Sequence, residues 1–438
     1  MNQRITGNTT GPIIIIGVLF FVFGFVTWLS AVLVPYLKIA CELNNLESYL
    51  VAFAFYIAYF FTSVPSGWLL KYTGYKKGIA AGLLVMAAGS LLFVPAALTR
   101  TYGLFLAGLF VQGAGMALLQ TAANPYVTII GPIESAARRI SIMGICNGIA
   151  GVLAPAILGF IVLEGADDIV KKLGTMSPNV GTDNYLSLQY LSLLNSMAGR
   201  VIVPYLLIMA SLILLAVFIR FAHLPDVEND RDENTDPSVT VQKTSIFQFP
   251  HLLLGVLAIF LYTGVEVIAG NTIISYGVFL GVPIATARFF SSFTLSGMLV
   301  GYLIGIALIP KYLSQKNALA VCAVCGVLFA AVALLTHGFT SILFIALLGL
   351  ANSLMWPSIW PLAIDNLGRF TKTGSSLLVM AIAGAAVIPL VYGWLADHFT
   401  PKSAYLVVIP IYLYILFYAV TGHRTGIVRK RPAGDQPA

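Results

Sequence analysis

Gly67-Trp-Leu-Leu-Lys71-Tyr-Thr-Gly74-Tyr-Lys76-Lys77 closes one long apolar run, and the chain returns to the same arrangement with Gly305, Lys311 and Lys316. The offset is about 235 residues, and other marks keep it. Gly24 is answered by Gly264, Pro125 by Pro357, and the pair Pro155 and Gly159 by Pro389 and Gly393. Proline and glycine are costly inside helices, so their return at one offset indicates a duplicated module.

The repeated units are apolar. Hydrophobic residues make up 59% of the chain and charged residues 9%. A soluble domain carries about 25% charged residues, so this chain cannot cover a water-facing surface. Its apolar runs fall near residues 12–34, 48–70, 78–98, 103–130, 140–163 and 200–222, then near 250–279, 288–309, 317–336, 340–362, 373–396 and 403–421. Each is about 20 residues or more, enough to cross a hydrocarbon core of about 30 Å. The first lacks a small-residue cleavage site and reads as a retained helix. The expected fold is an all-α membrane protein of twelve transmembrane helices in two bundles, residues 1–222 and 249–438. Residues 223–248, with Asp226, Glu228, Asp230, Asp232, Glu233 and Asp236, read as a polar linker between them. The connection 164–200 is expected to hold a short helix.

The net charge is +7. If the N-terminus is cytoplasmic, only Lys38, Arg100, Lys171, Lys172, Arg200, Arg288 and Lys402 of the 24 lysines and arginines face outward. That bias sets both termini inside a bacterial inner membrane. It also accounts for the basic balance without a nucleic-acid partner, for which a basic patch on a soluble domain would be needed. The bilayer is the expected partner, and a monomer the expected functional unit. Cys322 and Cys325 form a C-x-x-C inside an apolar run, where packing is the simpler reading than metal binding.

Strongly polar side chains at mid-membrane demand a reason. Glu266 lies deep in the seventh run, bracketed by Gly264 and Gly270. Two glycines would let that helix open, so that freed carbonyls and the carboxylate surround a cation or a sugar hydroxyl. The competing reading is a carboxylate satisfied by neighbouring hydroxyls. In the fourth run Gln120 and Asn124 are one turn apart and share a face. Amides donate and accept at once, which suits a ring of sugar hydroxyls; they also bond helix to helix. Asn147 in the fifth run, Asn271 in the seventh and Asn352 in the tenth extend the set. Trp356, one turn after Asn352, and Trp28 in the first run can stack on the apolar face of a pyranose. Core packing and interfacial anchoring compete for these indoles. Gly67, Lys71, Lys76 and Lys77 can pair with helix C-terminal carbonyls as an inner gate, or serve topology alone.

With its two-halved pattern of spans, the stretch from Gly67 to Lys77 resembles the major facilitator superfamily. Gln120-Thr-Ala-Ala-Asn-Pro-Tyr-Val-Thr-Ile-Ile-Gly-Pro132 and Gly368-Arg-Phe-Thr-Lys-Thr-Gly-Ser-Ser376 resemble its fucose–galactose–glucose:cation symporter family. Ile140-Ser-Ile-Met-Gly-Ile-Cys-Asn147 is similar to the bacterial glucose/galactose transporters of that family. The resemblance implies hexose symport with a coupling ion, Na⁺ or H⁺, and no cofactor. It also implies that Asn147 is a sugar-site asparagine and that Trp356 takes an aromatic position. The two membrane carboxylates of the family's fucose permease fall here on Ala31 and Gln120, neither of which carries a proton, whereas a seventh-helix glutamine falls on Glu266. The acid has moved to the second half. Glu266 flanked by loosened carbonyls would suit Na⁺; Glu266 taking a proton would suit H⁺. An exporter of sugars or drugs on the same fold is the alternative function. An enzyme is not expected, since the chain shows no nucleotide-binding loop, paired catalytic carboxylates or metal cluster.

Overall fold

The computed structural model describes residues 10–129, 136–176, 184–222, 245–309, 312–365, 367 and 370–426. Among the described residues, twelve helical spans are long and apolar enough to cross a membrane. The first six are Ile14–Ala40, Asn45–Ser63, Lys76–Thr99, Tyr102–Ala123, Ile142–Val162 and Leu186–Phe221. The last six are Pro250–Asn271, Ile284–Leu308, Gln315–Leu335, Gly338–Ile364, Leu377–His398 and Pro401–Arg424. Because the spans alternate in direction, the described chain begins and ends on one face, here called proximal. The short connections after Ala40, Thr99, Leu335 and His398 lie on the opposite, distal face.

The duplication seen in the sequence returns as packing. Gly113 of the fourth span sits so close to the second that a Cβ on it would lie 2.1 Å from the Phe55 carbonyl oxygen. Gly349 of the tenth span meets the eighth likewise, with a Cβ 1.9 Å from the Thr294 oxygen. The fifth and first spans touch where a Cβ on Gly24 would lie 2.1 Å from the Asn147 oxygen. The eleventh and seventh touch where one on Gly384 would lie 1.7 Å from the Phe260 oxygen. With no strong hydrophobic drive between helices inside lipid, such small-residue contacts are what bring backbones together.

Several expectations change. The linker's 223–244 lie outside the described residues. Its last residues form a single turn, Ile246–Gln248, capped by the Ser245 hydroxyl, which accepts from the Phe247 N–H. The connection after the fifth span holds one short helix, Ala166–Met176, and a further helix, Asn184–Gly199, starts the sixth span well before residue 200. The tenth span is interrupted: one helix ends at Asn352 and the next begins at Met355. Pro357 has no N–H to offer the Ser353 carbonyl, and its ring crowds that carbonyl, so the helix breaks there. Asn352 and Trp356 therefore do not share the continuous face that their spacing suggests. Gly74 has φ 73° and ψ 167°, a backbone open essentially to glycine alone, and it turns the chain between the second and third spans.

Candidate functional site

The first span is built from helices Thr10–Trp28 and Ser30–Ala40, and the seventh from Pro250–Asn271 continued by Ile273–Phe279. The two interruptions meet. Asn271 Nδ2 donates to Ser30 Oγ at 3.0 Å, a buried bond between the first six spans and the last six. Ser30 Oγ donates in turn to the Thr27 carbonyl at 3.0 Å.

Trp28 fills the same level. A Cβ on Gly151 of the fifth span would lie 2.8 Å from Trp28 Cδ1, and one on Gly270 of the seventh would lie 2.3 Å from Cζ3. The indole is thus wedged between the two sets of spans, in a buried cluster with Leu295 and Met298 of the eighth against which Val152 and Tyr302 pack. Trp28 is a packed element here rather than an open stacking platform.

The polar residues lie one turn below this plug. Asn147 precedes Gly151 by four residues, and Glu266 precedes Gly270 by four. Residues so spaced share a helix face and differ in height by about 6 Å. Both helices run from the proximal face to the distal one, so both residues lie on the proximal side of Trp28. Glu266 is half-buried and accepts a hydrogen bond from Tyr262 Oη at 2.8 Å. Tyr56 of the second span, Tyr302 of the eighth and Tyr412 of the twelfth lie within its electrostatic reach. Asn147 Nδ2 donates a long bond, 3.4 Å, to the Phe20 carbonyl.

The expected opening of the helix around Glu266 does not occur. Pro250–Asn271 stays helical through the carboxylate. Gly264 and Gly270 serve close approach: a Cβ on Gly264 would lie 2.4 Å from Ile388 Cβ, as one on Gly270 would strike Trp28. Among the described residues, the hydrogen-bond partner of Glu266 is the Tyr262 phenol. Neither Tyr262 nor the other three tyrosines were singled out in the sequence. Tyr262 carries a faint signal, since it stands four residues before Glu266. Tyr56, Tyr302 and Tyr412 carry none, because only the bundle brings their spans together.

The remaining candidates scatter. Gln120 is half-buried and makes no hydrogen bond to a described residue. The Asn124 side chain lies outside the described residues. Asn352 is buried, accepts from Tyr412 Oη at 2.9 Å, and leaves its own Nδ2 without a partner. Asn271 is likewise buried, with Oδ1 unpartnered. Trp356 is half-buried against Trp360, ring centroids 5.2 Å apart. Gln112 is buried and donates to Ser90 Oγ at 2.6 Å, joining the fourth span to the third. On the proximal face a Cβ on Gly67 would meet nothing within 4 Å. Lys76 is half-buried and Lys77 exposed, and the Lys71 side chain is outside the described residues.

The chain and its fold have named counterparts. The profile of the Major Facilitator Superfamily matches residues 16–388. A glucose/galactose transporter of Brucella abortus biovar 1 (strain 9-941) is 36% identical over 411 residues, covering 93% of each chain. An L-fucose-proton symporter of Escherichia coli (strain K12) is 30% identical over 394 residues, covering 88% of this chain and 87% of that one. The crystal structure of FucP in the outward conformation superposes with a TM-score of 0.67 at 28% identity, over 94% of this chain and 98% of the other. The D-xylose-proton symporter shares the fold, with a TM-score of 0.68 at 14% identity over 93% and 96%. The chain belongs to the major facilitator superfamily, in its fucose–galactose–glucose:cation symporter family. It is a multi-pass membrane transporter and not an enzyme.

Proposed function

We propose that this chain takes up a neutral hexose of the glucose or galactose class together with a cation, Na⁺ or H⁺, by alternating access. The distal face is then outward, both chain ends are cytoplasmic, and the membrane is the bacterial inner membrane. Support comes from the names of its relatives, a glucose/galactose transporter and an L-fucose-proton symporter. The observation that carries the reading is the position of Glu266: an acid one turn beneath the Trp28 plug, at the seam between the two sets of spans, hydrogen-bonded to the Tyr262 phenol.

Glu266 serves as the coupling group, since a deep acid in a membrane is retained for a task. Asn147 and Gln120 supply amides for sugar hydroxyls from the opposite set of spans. Coupling requires that sugar and cation both favour the occluded state, which a site shared between the two sets makes possible. The test is labelled hexose uptake into proteoliposomes under an imposed Na⁺ gradient and, separately, an imposed pH gradient. Wild type should accumulate hexose under one of them and Glu266→Gln under neither. Concentrative uptake by Glu266→Gln at the wild-type level would remove this role.

A further inference from the structure

The hydrogen bonds described between the first six and last six spans cluster toward the distal face, and two groups of them form a matched pair. The second span begins at that face with Asn45. Its helix is capped by Asn44, whose side chain accepts from the Glu47 N–H at 2.7 Å. The Asn45 and Leu46 N–H groups remain, as the first donors of any helix do. Asp397, at the end of the eleventh span, takes both: Asn45 N–H to Oδ1 at 3.1 Å and Leu46 N–H to Oδ2 at 2.7 Å. Asn45 Nδ2 adds a third bond to Oδ1 at 2.6 Å, and Lys38 Nζ holds the Asn45 side chain at 2.5 Å.

The second group repeats the first. Pro283 opens the segment leading into the eighth span, and the Ile284 and Ala285 N–H groups follow. Asp167, beyond the end of the fifth span, accepts the Ile284 N–H on Oδ1 at 2.9 Å and the Ala285 N–H on Oδ2 at 3.0 Å. The fifth and eleventh spans correspond in the internal repeat, as do the second and eighth. Asp167 and Asp397 are about 230 residues apart, close to the repeat offset. The repeated glycines touch the same opposing segments. A Cβ on Gly159 would lie 3.3 Å from the Arg288 oxygen, and one on Gly393 would lie 3.1 Å from Leu46 Cα.

We propose that Asp167 and Asp397 are twin clasps that hold the distal end shut and set how often it opens. Each carboxylate meets two adjacent backbone N–H groups of the other set of spans, a bidentate and charge-assisted arrangement. Rocking the two sets apart at this end breaks both clasps together and leaves four backbone donors to water. Each clasp is partly open to solvent, so singly it is weak; the duplication lets two weak contacts act on one motion. The inference rests on the alternating-access reading above, and it assigns to these acids control of a conformational equilibrium, with no part in binding sugar or cation.

The test uses the full chain with Cys41, Cys146, Cys322 and Cys325 replaced. Spin labels are placed on Thr101→Cys and Phe399→Cys, exposed positions in distal connections of the first and last six spans. Distance distributions are measured in lipid nanodiscs for the parent, Asp167→Asn, Asp397→Asn, the double variant and Asp168→Asn. Asp168 is exposed and neighbours the clasp, so it serves as the control. The wide-distance population, relative to the narrow one, should rise on the order of tenfold in the double variant and about threefold in each single variant. The control should match the parent. Should the double variant fail to fold, the two single variants carry the same comparison. Unchanged distributions overturn the proposal, as does lower thermal stability with unchanged distances, which would make the acids folding caps only. Hexose transport is scored separately. Unchanged distances in variants that still accumulate hexose sink the clasp and spare the transport reading. Widened distances in the variants of a parent chain that itself moves no hexose support the clasp and sink the hexose assignment.

Discussion

Gly270 faces the ring of Trp28 so closely that a methyl group in place of its hydrogen would lie 2.3 Å from Cζ3. An indole cannot flex away as a lysine tip can, so any side chain at 270 must push the first and seventh spans apart. The contact joins the two sets of spans at the level where both helices are interrupted. Gly270→Ala should therefore cost about 1–3 kcal/mol in the closed-distal geometry, the usual penalty for overpacking. Distal opening should rise and hexose accumulation fall. Thermal stability together with thiol labelling of a distal cysteine checks this; Gly103→Ala, where a Cβ would meet nothing within 4 Å, is the control.

Tyr262 Oη donates to Glu266 at 2.8 Å. Tyr262→Phe removes the donor and keeps the ring. A hydrogen bond to a charged group contributes about 1.5–3 kcal/mol. The apparent affinity for the coupling cation should shift by tenfold or more, while hexose exchange without a gradient persists. Initial uptake rates against cation concentration give the answer, and an unchanged cation dependence would detach Tyr262 from the coupling site.

Tyr412 and Asn352 form a buried pair at 2.9 Å, and Asn352 Nδ2 already lacks a partner. Tyr412→Phe strands the whole amide. Leaving such a group unsatisfied costs about 1–3 kcal/mol. The variant should melt earlier in detergent than the parent. Its hexose KM should stay near the parent value, because the amide faces the twelfth span.

Gln112 gives the contrasting case. Its amide is engaged with Ser90 Oγ at 2.6 Å between the third and fourth spans. Interhelical bonds of this kind average about 0.6 kcal/mol in membranes. Gln112→Leu should lower stability slightly and leave coupled uptake intact. Loss of accumulation in a well-folded Gln112→Leu would place this residue in the transport path after all.

Part of the candidate site was legible because burial of polarity in a membrane is rare. Glu266 stood out as the one deep acid, and the structure seats it under Trp28. Asn147 lies at the same level on the opposite set of spans. The rest was not legible for particular reasons. Gly264 and Gly270 suggested an opened helix, since a glycine that loosens backbone and one that admits a neighbour look alike in sequence; the neighbours Ile388 and Trp28 decide between them. Asn352 and Trp356 shared a face by spacing until Pro357 broke the helix between them. Tyr56, Tyr302 and Tyr412 looked like any membrane tyrosines.

Composition and the internal repeat determined by themselves that this chain is a duplicated bundle of membrane helices. Both are properties of single segments: apolar length matches bilayer thickness, and prolines and glycines mark each copy wherever the copies lie. Only the tertiary structure decided which side chains meet, as Trp28 meets Gly151 and Gly270, Tyr262 meets Glu266, and Asp397 meets Asn45 and Leu46. Such contacts depend on the rotation and height of each helix against its neighbours, which side-chain packing sets across the bundle and no one segment encodes.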